Sequence, residues 1–251
     1  MSFKHKLNKY LRRFNVELHG LGYLQSLAKG EFKKNELDLF KNVFGDNKLL
    51  IYDVGANRGA TIDQFAQLFP NAFIHAFEPH EELAEELKKR YQSSSKISIN
   101  QCGIADKESS MLLNMNFSAD TSSLLASKKT GLNSDRQVET IRQVKVPVTT
   151  IDQYAAANGH QHIHILKLDI QGSELNALKG AVSLLAANKI DMIFSETYFI
   201  QQYEGQPLFH EIAAFLFDYG YELQDIYHPL YGKGKMAWCD TLFVRKDLKL
   251  I

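Results

Sequence analysis

Leu49-Leu50-Ile51-Tyr52-Asp53-Val54-Gly55-Ala56-Asn57-Arg58-Gly59 carries an apolar run through an acid into a glycine turn. Beyond the turn, Ile62, Phe65, Ala66 and Phe69 recur at helical spacing. The pattern predicts strand, turn and helix, the opening unit of a nucleotide-binding α/β domain. A buried parallel strand needs such an unbroken apolar run, and glycine lets backbone approach a ligand with no side chain in the way. A second run, Ala72 to Phe77, ends in Glu78 and Pro79. Glu78 stands where the second strand of a Rossmann-type unit offers a carboxylate to a ribose diol. Without that acid, the glycine turn would read equally well as a plain connection from strand to helix.

Two ligands suit this crevice chemically. A dinucleotide needs bare backbone amides at the helix start for its pyrophosphate, hence the three glycines of G-x-G-x-x-G. This loop has Gly55 and Gly59 with Asn57 between them, and Asp53 lies two residues before the first glycine. A carboxylate there repels a pyrophosphate and suits a ligand bearing an amino group and a sulfonium. S-adenosylmethionine is such a ligand, with Asp53, Gly55, Asn57, Gly59 and Glu78 as expected contacts.

The 251 residues are 45% hydrophobic and 23% charged, enough for one sizeable core. The expected organisation is an N-terminal helical extension, 1–45, and a single domain, 46–251. Formal net charge is zero, which gives no electrostatic reason for a nucleic-acid partner and favours a small-molecule acceptor. Cys102 and Cys239 lie far apart, and no histidine pair falls at a zinc-ligand interval, so reduced thiols and no metal are expected. No apolar stretch approaches a membrane span, and Met1-Ser2-Phe3-Lys4 opens no signal-like apolar region, so the expected location is cytoplasmic. Lys4, Lys6, Lys9, Arg12 and Arg13 interleave with Phe3, Leu7, Leu11, Phe14 and Leu18, which repeat at helical spacing. This basic amphipathic helix is expected to dock on the domain or on a second subunit as a homo-oligomer contact, rather than on a membrane.

Further along, Glu81 to Tyr91 reads as a helix and Ile97 to Asn100 as a third strand. Cys102 and Gly103 follow at its carboxyl end, in position to touch an adenine edge. Ser109 to Phe117 and Arg142 to Val148 alternate like a hairpin, and the polar stretch Ser118 to Gln137 between them is long enough for a lid. Thr149-Thr150-Ile151-Asp152 starts a helix, and His162 to Asp169 is the strongest strand. One helix is expected with Leu175, Leu178, Val182 and Leu185 on a single face, then a strand from Ile190 to Phe194 and a helix from Phe209 to Gly220. Tyr221 to Tyr227 and Asp240 to Arg245 are strands with no helix between them, so they are antiparallel neighbours. Class I methyltransferases end this way; dinucleotide-binding domains generally do not.

At these residues the chain resembles the FkbM family of S-adenosylmethionine-dependent methyltransferases. The likeness is carried by Asp53-Val54-Gly55-Ala56-Asn57-Arg58-Gly59, Phe77-Glu78-Pro79, Val148-Thr149-Thr150-Ile151-Asp152, Leu166-Lys167-Leu168-Asp169-Ile170-Gln171-Gly172-Ser173-Glu174 and Leu178-Lys179-Gly180-Ala181. These blocks span roughly Ile51 to Glu196. The resemblance implies a Rossmann-like α/β fold with a seven-stranded, mostly parallel sheet, a C-terminal antiparallel strand and a hairpin insertion. It also implies S-adenosylmethionine as methyl donor and a hydroxyl acceptor, such as a sugar or a polyketide-like secondary metabolite.

Methyl transfer is an in-line displacement, so catalysis is mostly alignment, but a hydroxyl acceptor must also lose a proton. Asp169 and Glu174, beside the switch point where open α/β sheets bind ligands, are the first candidates, and Asp169 also faces the donor. The competing role for Asp169 is to cap the following helix. Glu196 ends the next strand and is followed by Tyr198, Phe199 and Tyr203, aromatic faces suited to a sugar or polyketide. His228, in the last connecting loop, is the remaining candidate base. His162 and His164 lie away from the carboxyl end and read as structural. A divalent metal on Asp169 and a second acid has no ligand spacing that demands it. The rival reading is a non-catalytic S-adenosylmethionine-binding protein. A nicotinamide-dependent oxidoreductase is disfavoured by the missing third glycine and the C-terminal hairpin.

Overall fold

The computed structural model describes residues 35–128, 136–232 and 234–250. The chain divides into two units, Met1–Asp38 and Leu39–Ile251. The amphipathic helix expected near the N-terminus and the middle of the polar lid stretch, residues 129–135, lie outside the described residues. Among the described residues no helix is long and apolar enough to cross a membrane.

Helix α1 (Glu36–Phe44) leads into β1 (Leu50–Val54), α2 (Ala60–Leu68), β2 (Phe73–Phe77), α3 (Glu81–Tyr91) and β3 (Ile97–Asn100). Strands β4 (Gly103–Ile104), β5 (Ser109–Asn116) and β6 (Thr140–Thr149) follow. The chain then forms α4 (Ile151–Ala157), β7 (Ile163–Leu168), α5 (Glu174–Lys179) and α6 (Val182–Ala186). It ends with β8 (Ile190–Tyr198), α7 (Phe209–Asp218), β9 (Tyr221–Gly232) and β10 (Lys235–Arg245).

Seven strands share one sheet in the order β3-β2-β1-β7-β8-β10-β9, and β10 alone runs against its neighbours. β1 and β7 are covered on both faces, which is why Ile51, Tyr52, Val54, Ile163, Ile165, Leu166 and Leu168 are almost wholly buried. Strand order reverses between β1 and β7, where Val54 and Leu168 are register partners. The loops that follow them therefore lie side by side at the carboxyl edge, the switch point of the sheet. A second sheet, ordered β4-β6-β5, packs Leu113, Met115, Val146 and Val148 around Ala105. The α4 start is as expected: the Thr150 side chain accepts from Gln153 N and caps the helix.

The structure departs from the sequence reading in four places. The single helix expected through Leu175 and Leu185 is two, α5 and α6. A Cβ on Gly180 would lie 2.2 Å from the Ala105 carbonyl oxygen, so the chain turns there, and Val182 is left exposed. Asp152 caps α6 by accepting from Ser183 N at 2.8 Å and Leu184 N at 3.1 Å. β8 continues past Phe194 to Tyr198 because β10 pairs along it as far as Trp238, so Glu196 lies within the strand. His228 is inside β9, since the last connection is a long hairpin rather than a loop. Gly103 and Ile104, placed from the sequence only at the carboxyl end of the third strand, form a strand that pairs with Val148 and Thr149 of β6.

Because the Gly180 contact is with backbone, it cannot be relieved by a rotamer change. Gly180→Ala is expected to destabilise the protein by about 1–3 kcal/mol. Urea denaturation checks this, and an unchanged midpoint would contradict the packing assigned to the α5–α6 turn.

Candidate active site

The two loops at the switch point touch. Gly55 has φ 84°, and a Cβ there would stand 1.9 Å from the Asp169 carbonyl oxygen, so this glycine is required by the contact between loops. Gly59, at φ 82°, is demanded from another side: its Cβ would lie 2.7 Å from Leu87 Cδ2 of α3. Asp53 is fully buried beneath the Gly55 loop. Lys167 Nζ stands 3.1 Å from Asp53 Oδ1 and 3.6 Å from Asp169 Oδ2, and donates to the Gly55 carbonyl at 3.1 Å. Burial opposes the Lys167 charge, but the Asp53 and Asp169 carboxylates outweigh it and hold the ammonium above the ordinary lysine range. Burial pushes the Asp53 carboxyl up, and Lys167 pulls against that shift.

A cavity of about 520 Å³ opens at these loops. One wall contains Gly55, Asn57, Glu78, His80, Cys102 and Gly103. Glu78 Oε2 accepts from Asn57 N and Oε1 from His80 N, each at 2.8 Å. Each oxygen keeps acceptor capacity for a second donor. Burial raises the Glu78 carboxyl while the two N–H groups draw it down. Asn57 Nδ2 donates to Asp120 Oδ1 at 2.8 Å and so ties the Ser118–Ser123 stretch to the Gly55 loop. Asn57 Oδ1 and His80 Nδ1 are buried without hydrogen-bond partners among the described residues, a cost that a polar ligand would relieve. Burial pushes the Cys102 thiol up to about 11, which makes it a neutral wall group.

The facing wall holds Asp169, Gln171, Glu196, Tyr198, Gln202 and Trp238. Gln171 Nε2 donates to Asp169 Oδ1 at 3.0 Å and to Glu196 Oε2 at 2.8 Å. Tyr198 OH also donates to Glu196 Oε2, at 2.5 Å. Burial, and then the neighbouring Asp169 charge, raise the Glu196 carboxyl well above its ordinary range. Glu174 is turned away from the cavity: its Oε1 accepts from Ile170 N at 3.0 Å and Gly172 N at 3.1 Å, shaping the loop after β7. Burial pushes its carboxyl up to about 7.

Of the residues singled out from the sequence, Gly55, Asn57, Glu78, Cys102, Gly103, Asp169 and Glu196 line the cavity together. Asp53, Gly59, Glu174 and His228 do not. Asp53 and Glu174 support the loops from below, and Gly59 faces α3. His228 Nδ1 lies 2.8 Å from Asp240 Oδ2 across the hairpin, on a backbone at φ 47° where the pairing slips between Trp238 and Asp240. Among the aromatics, Tyr198 reaches the cavity, Phe199 stacks on Phe209, and Tyr203 is buried with its hydroxyl 2.8 Å from Gln171 Oε1.

Sequence reasoning missed Lys167, Gln171 and Trp238 as site residues. A lysine inside an otherwise apolar strand was the available signal for Lys167. It also missed the meeting of His162, His164 and Asp191 at the amino end of β7 and β8. There Leu50 N donates to His164 Nδ1, which leaves the ring proton on Nε2, and Asp191 pairs with Arg245 at 3.2 Å. These contacts make the cluster a tie between strand ends.

The methyltransferase FkbM domain matches residues 53–223, from Asp53 of β1 into β9. The chain belongs to the FkbM methyltransferase family. A curated relative, 2-O-methyltransferase NoeI of Sinorhizobium fredii (strain NBRC 101917 / NGR234), is 23% identical over 163 residues. That match takes in 62% of this chain and 66% of NoeI, so the chain spans just under two thirds of that relative's length. Among solved structures, magnesium protoporphyrin IX methyltransferase (ChlM) from Synechocystis PCC 6803 with bound SAM aligns over 98% of each chain, at 12% identity and TM-score 0.48. SMU.1697c, a putative methyltransferase from Streptococcus mutans in complex with SAH, aligns over 83% of this chain and 94% of its own, at 10% identity and TM-score 0.46.

The buried Glu174 of this FkbM domain makes stability depend on pH. Its folded pKa lies above the unfolded value, so the folded state binds the proton more tightly and stability falls as pH rises. Between about pH 5 and pH 8 the loss from this group is on the order of 2 kcal/mol. Glu174→Gln is expected to flatten that part of the profile in urea melts. An identical slope in both proteins would contradict it.

Proposed function

We propose that this protein transfers the methyl group of S-adenosylmethionine to a hydroxyl of a small acceptor, a sugar or secondary-metabolite unit. The carrying observation is one cavity with Glu78 and its two backbone donors at one wall and the Asp169–Glu196 pair at the other. The residues fit the donor. Glu78 retains acceptor capacity for a ribose diol, and the unpartnered Asn57 Oδ1 and His80 Nδ1 stand beside it. Asp53 and Asp169 face a single ammonium, Lys167, which leaves the loop pair suited to a cationic ligand. Gly55, Asn57, Cys102 and Gly103 would hold the remainder of the adenosine. When bound, the donor supplies an electrophilic methyl group on a positively charged sulfur.

The rest of the chemistry belongs to the chain. Glu196 Oε2 is committed to Tyr198 and Gln171, so Oε1 is the atom that takes the acceptor's hydroxyl proton. Its burial-raised pKa makes it a stronger base than an exposed carboxylate. Asp169, across the Gln171 amide, orients the acceptor, while Trp238 and Tyr198 give a sugar ring an aromatic face. Transfer to oxygen is supported by the relative NoeI, a 2-O-methyltransferase.

The test is incubation of the full chain with methyl-labelled donor and a panel of methyl glycosides and polyketide-like alcohols. Label is expected on an acceptor hydroxyl. Glu196→Gln should keep donor binding while turnover falls about 10²-fold to 10⁴-fold. Label recovered only in RNA or protein, or parental turnover in the variant, would contradict the reading. Donor binding with no transfer to any acceptor would favour the non-catalytic alternative.

A further inference from the structure

Gln171 has φ 54°, in the left-handed region where a residue with a Cβ is strained. What holds it there is a group of polar contacts on both ends of its amide and on its backbone carbonyl. Its Nε2 donates to Asp169 Oδ1 at 3.0 Å and Glu196 Oε2 at 2.8 Å, while Oε1 faces Tyr203 OH at 2.8 Å and Tyr198 OH at 3.2 Å. Its backbone carbonyl accepts from Ser123 Oγ at 2.7 Å. Both amide hydrogens are thus engaged, while the single Tyr198 hydrogen goes to Glu196 Oε2 and that of Tyr203 is shared between Gln171 Oε1 and the Thr121 carbonyl at 3.0 Å. The orientation of the amide is settled by its neighbours, because ionised carboxylates only accept and so face Nε2. Two carboxylates this close repel each other, and a neutral group with two N–H bonds bridges them without adding charge. Glutamate would have no donors for this task, and lysine would add a second cation beside Lys167.

We propose that Gln171 is the positioning residue of the site, fixing the spacing of Asp169 and Glu196 and committing Glu196 Oε2 so that Oε1 faces the acceptor. The proposal rests on the base assignment made above for Glu196 and goes beyond it in naming what aims the base. Through Ser123 the same residue couples the carboxylate pair to the Ser118–Ser123 stretch, which is itself held to the Gly55 loop by Asn57 and Asp120. The groups facing Glu196 are Asp169 on the loop after β7, Glu174 at the start of α5, Asp240 and Cys239 on β10, Tyr198 on its own strand, Tyr203 beyond it and the Lys167 ammonium.

Infrared titration of the full chain reads this directly, with Glu196→Gln identifying the Glu196 carboxylic acid band. Removing a donor to the charged form makes that form harder to reach. In Gln171→Met, which keeps length and loses the amide, the band should persist to a pH at least one unit higher than in the parent. Gln171→Glu keeps an oxygen for the tyrosines, loses the donors and adds charge, and should move it further. Tyr203→Phe removes a bond to Gln171 but leaves both amide donors, and should keep the parental midpoint. An unmoved midpoint in both Gln171 variants, or an equal shift in Tyr203→Phe, would overturn the proposal. The band is read without any acceptor, so a parent that methylates nothing on the panel would sink the proposed function and leave this test intact.

Discussion

The structure turns on one buried cation. Lys167 sits within a strand that is otherwise apolar, and its ammonium joins Asp53 at the end of β1, Asp169 at the end of β7 and the carbonyl of Gly55. Removing a charge from water costs several kcal/mol unless it is paired. The protein meets that cost by bringing two strand-end acids to the same ammonium, which requires β1 and β7 to be neighbours in this register. The close approach of the Gly55 and Asp169 loops follows from it, and with it the need for a residue without a Cβ at position 55.

The same arrangement sets the electrostatics of the cavity. Carboxylates from the ends of β1, β2 and β7 and from within β8 gather near the switch point, and Lys167 answers only those nearest to it. A crevice of this character suits a cationic ligand better than a pyrophosphate, through Glu78, Asp169 and Glu196 rather than through Asp53, which is buried against Lys167 outside the cavity lining. Further out the groups become more polar and more aromatic, with Gln202, Tyr198 and Trp238 on the wall opposite Glu78. The chain's membership of the FkbM family and this distribution of charge both support the proposed methyl transfer.

Features written in local sequence were legible. The apolar runs of β1, β2 and β7, the acids that end them, and the Thr150 cap depend on near neighbours in the chain, and the structure has them where the sequence puts them. What escaped notice depends on pairing across the chain. Glu174 looked like a candidate base because its carboxylate follows the central strand, yet the left-handed turn at Gln171 and Gly172 swings the loop's N–H groups onto it. The partnership of His228 with Asp240 needs the slipped register of the β9–β10 hairpin, which no periodicity encodes. The break at Gly180 comes from Ala105, which reaches that position only through the second sheet. Gln171 was quoted as part of a motif, but its four partners lie on three different segments and only the fold assembles them.

The central claim is that the Gly55 crevice is built for a cationic adenosine ligand held at Glu78. Calorimetric titration of the full chain with S-adenosylmethionine, S-adenosylhomocysteine and NAD tests it most directly. The account expects the two adenosyl sulfur compounds to bind, NAD to give no heat of binding, and Glu78→Ala to weaken both adenosyl ligands at least about tenfold, roughly 1.4 kcal/mol. Binding of NAD without binding of S-adenosylmethionine, or an unchanged affinity in Glu78→Ala, would contradict it.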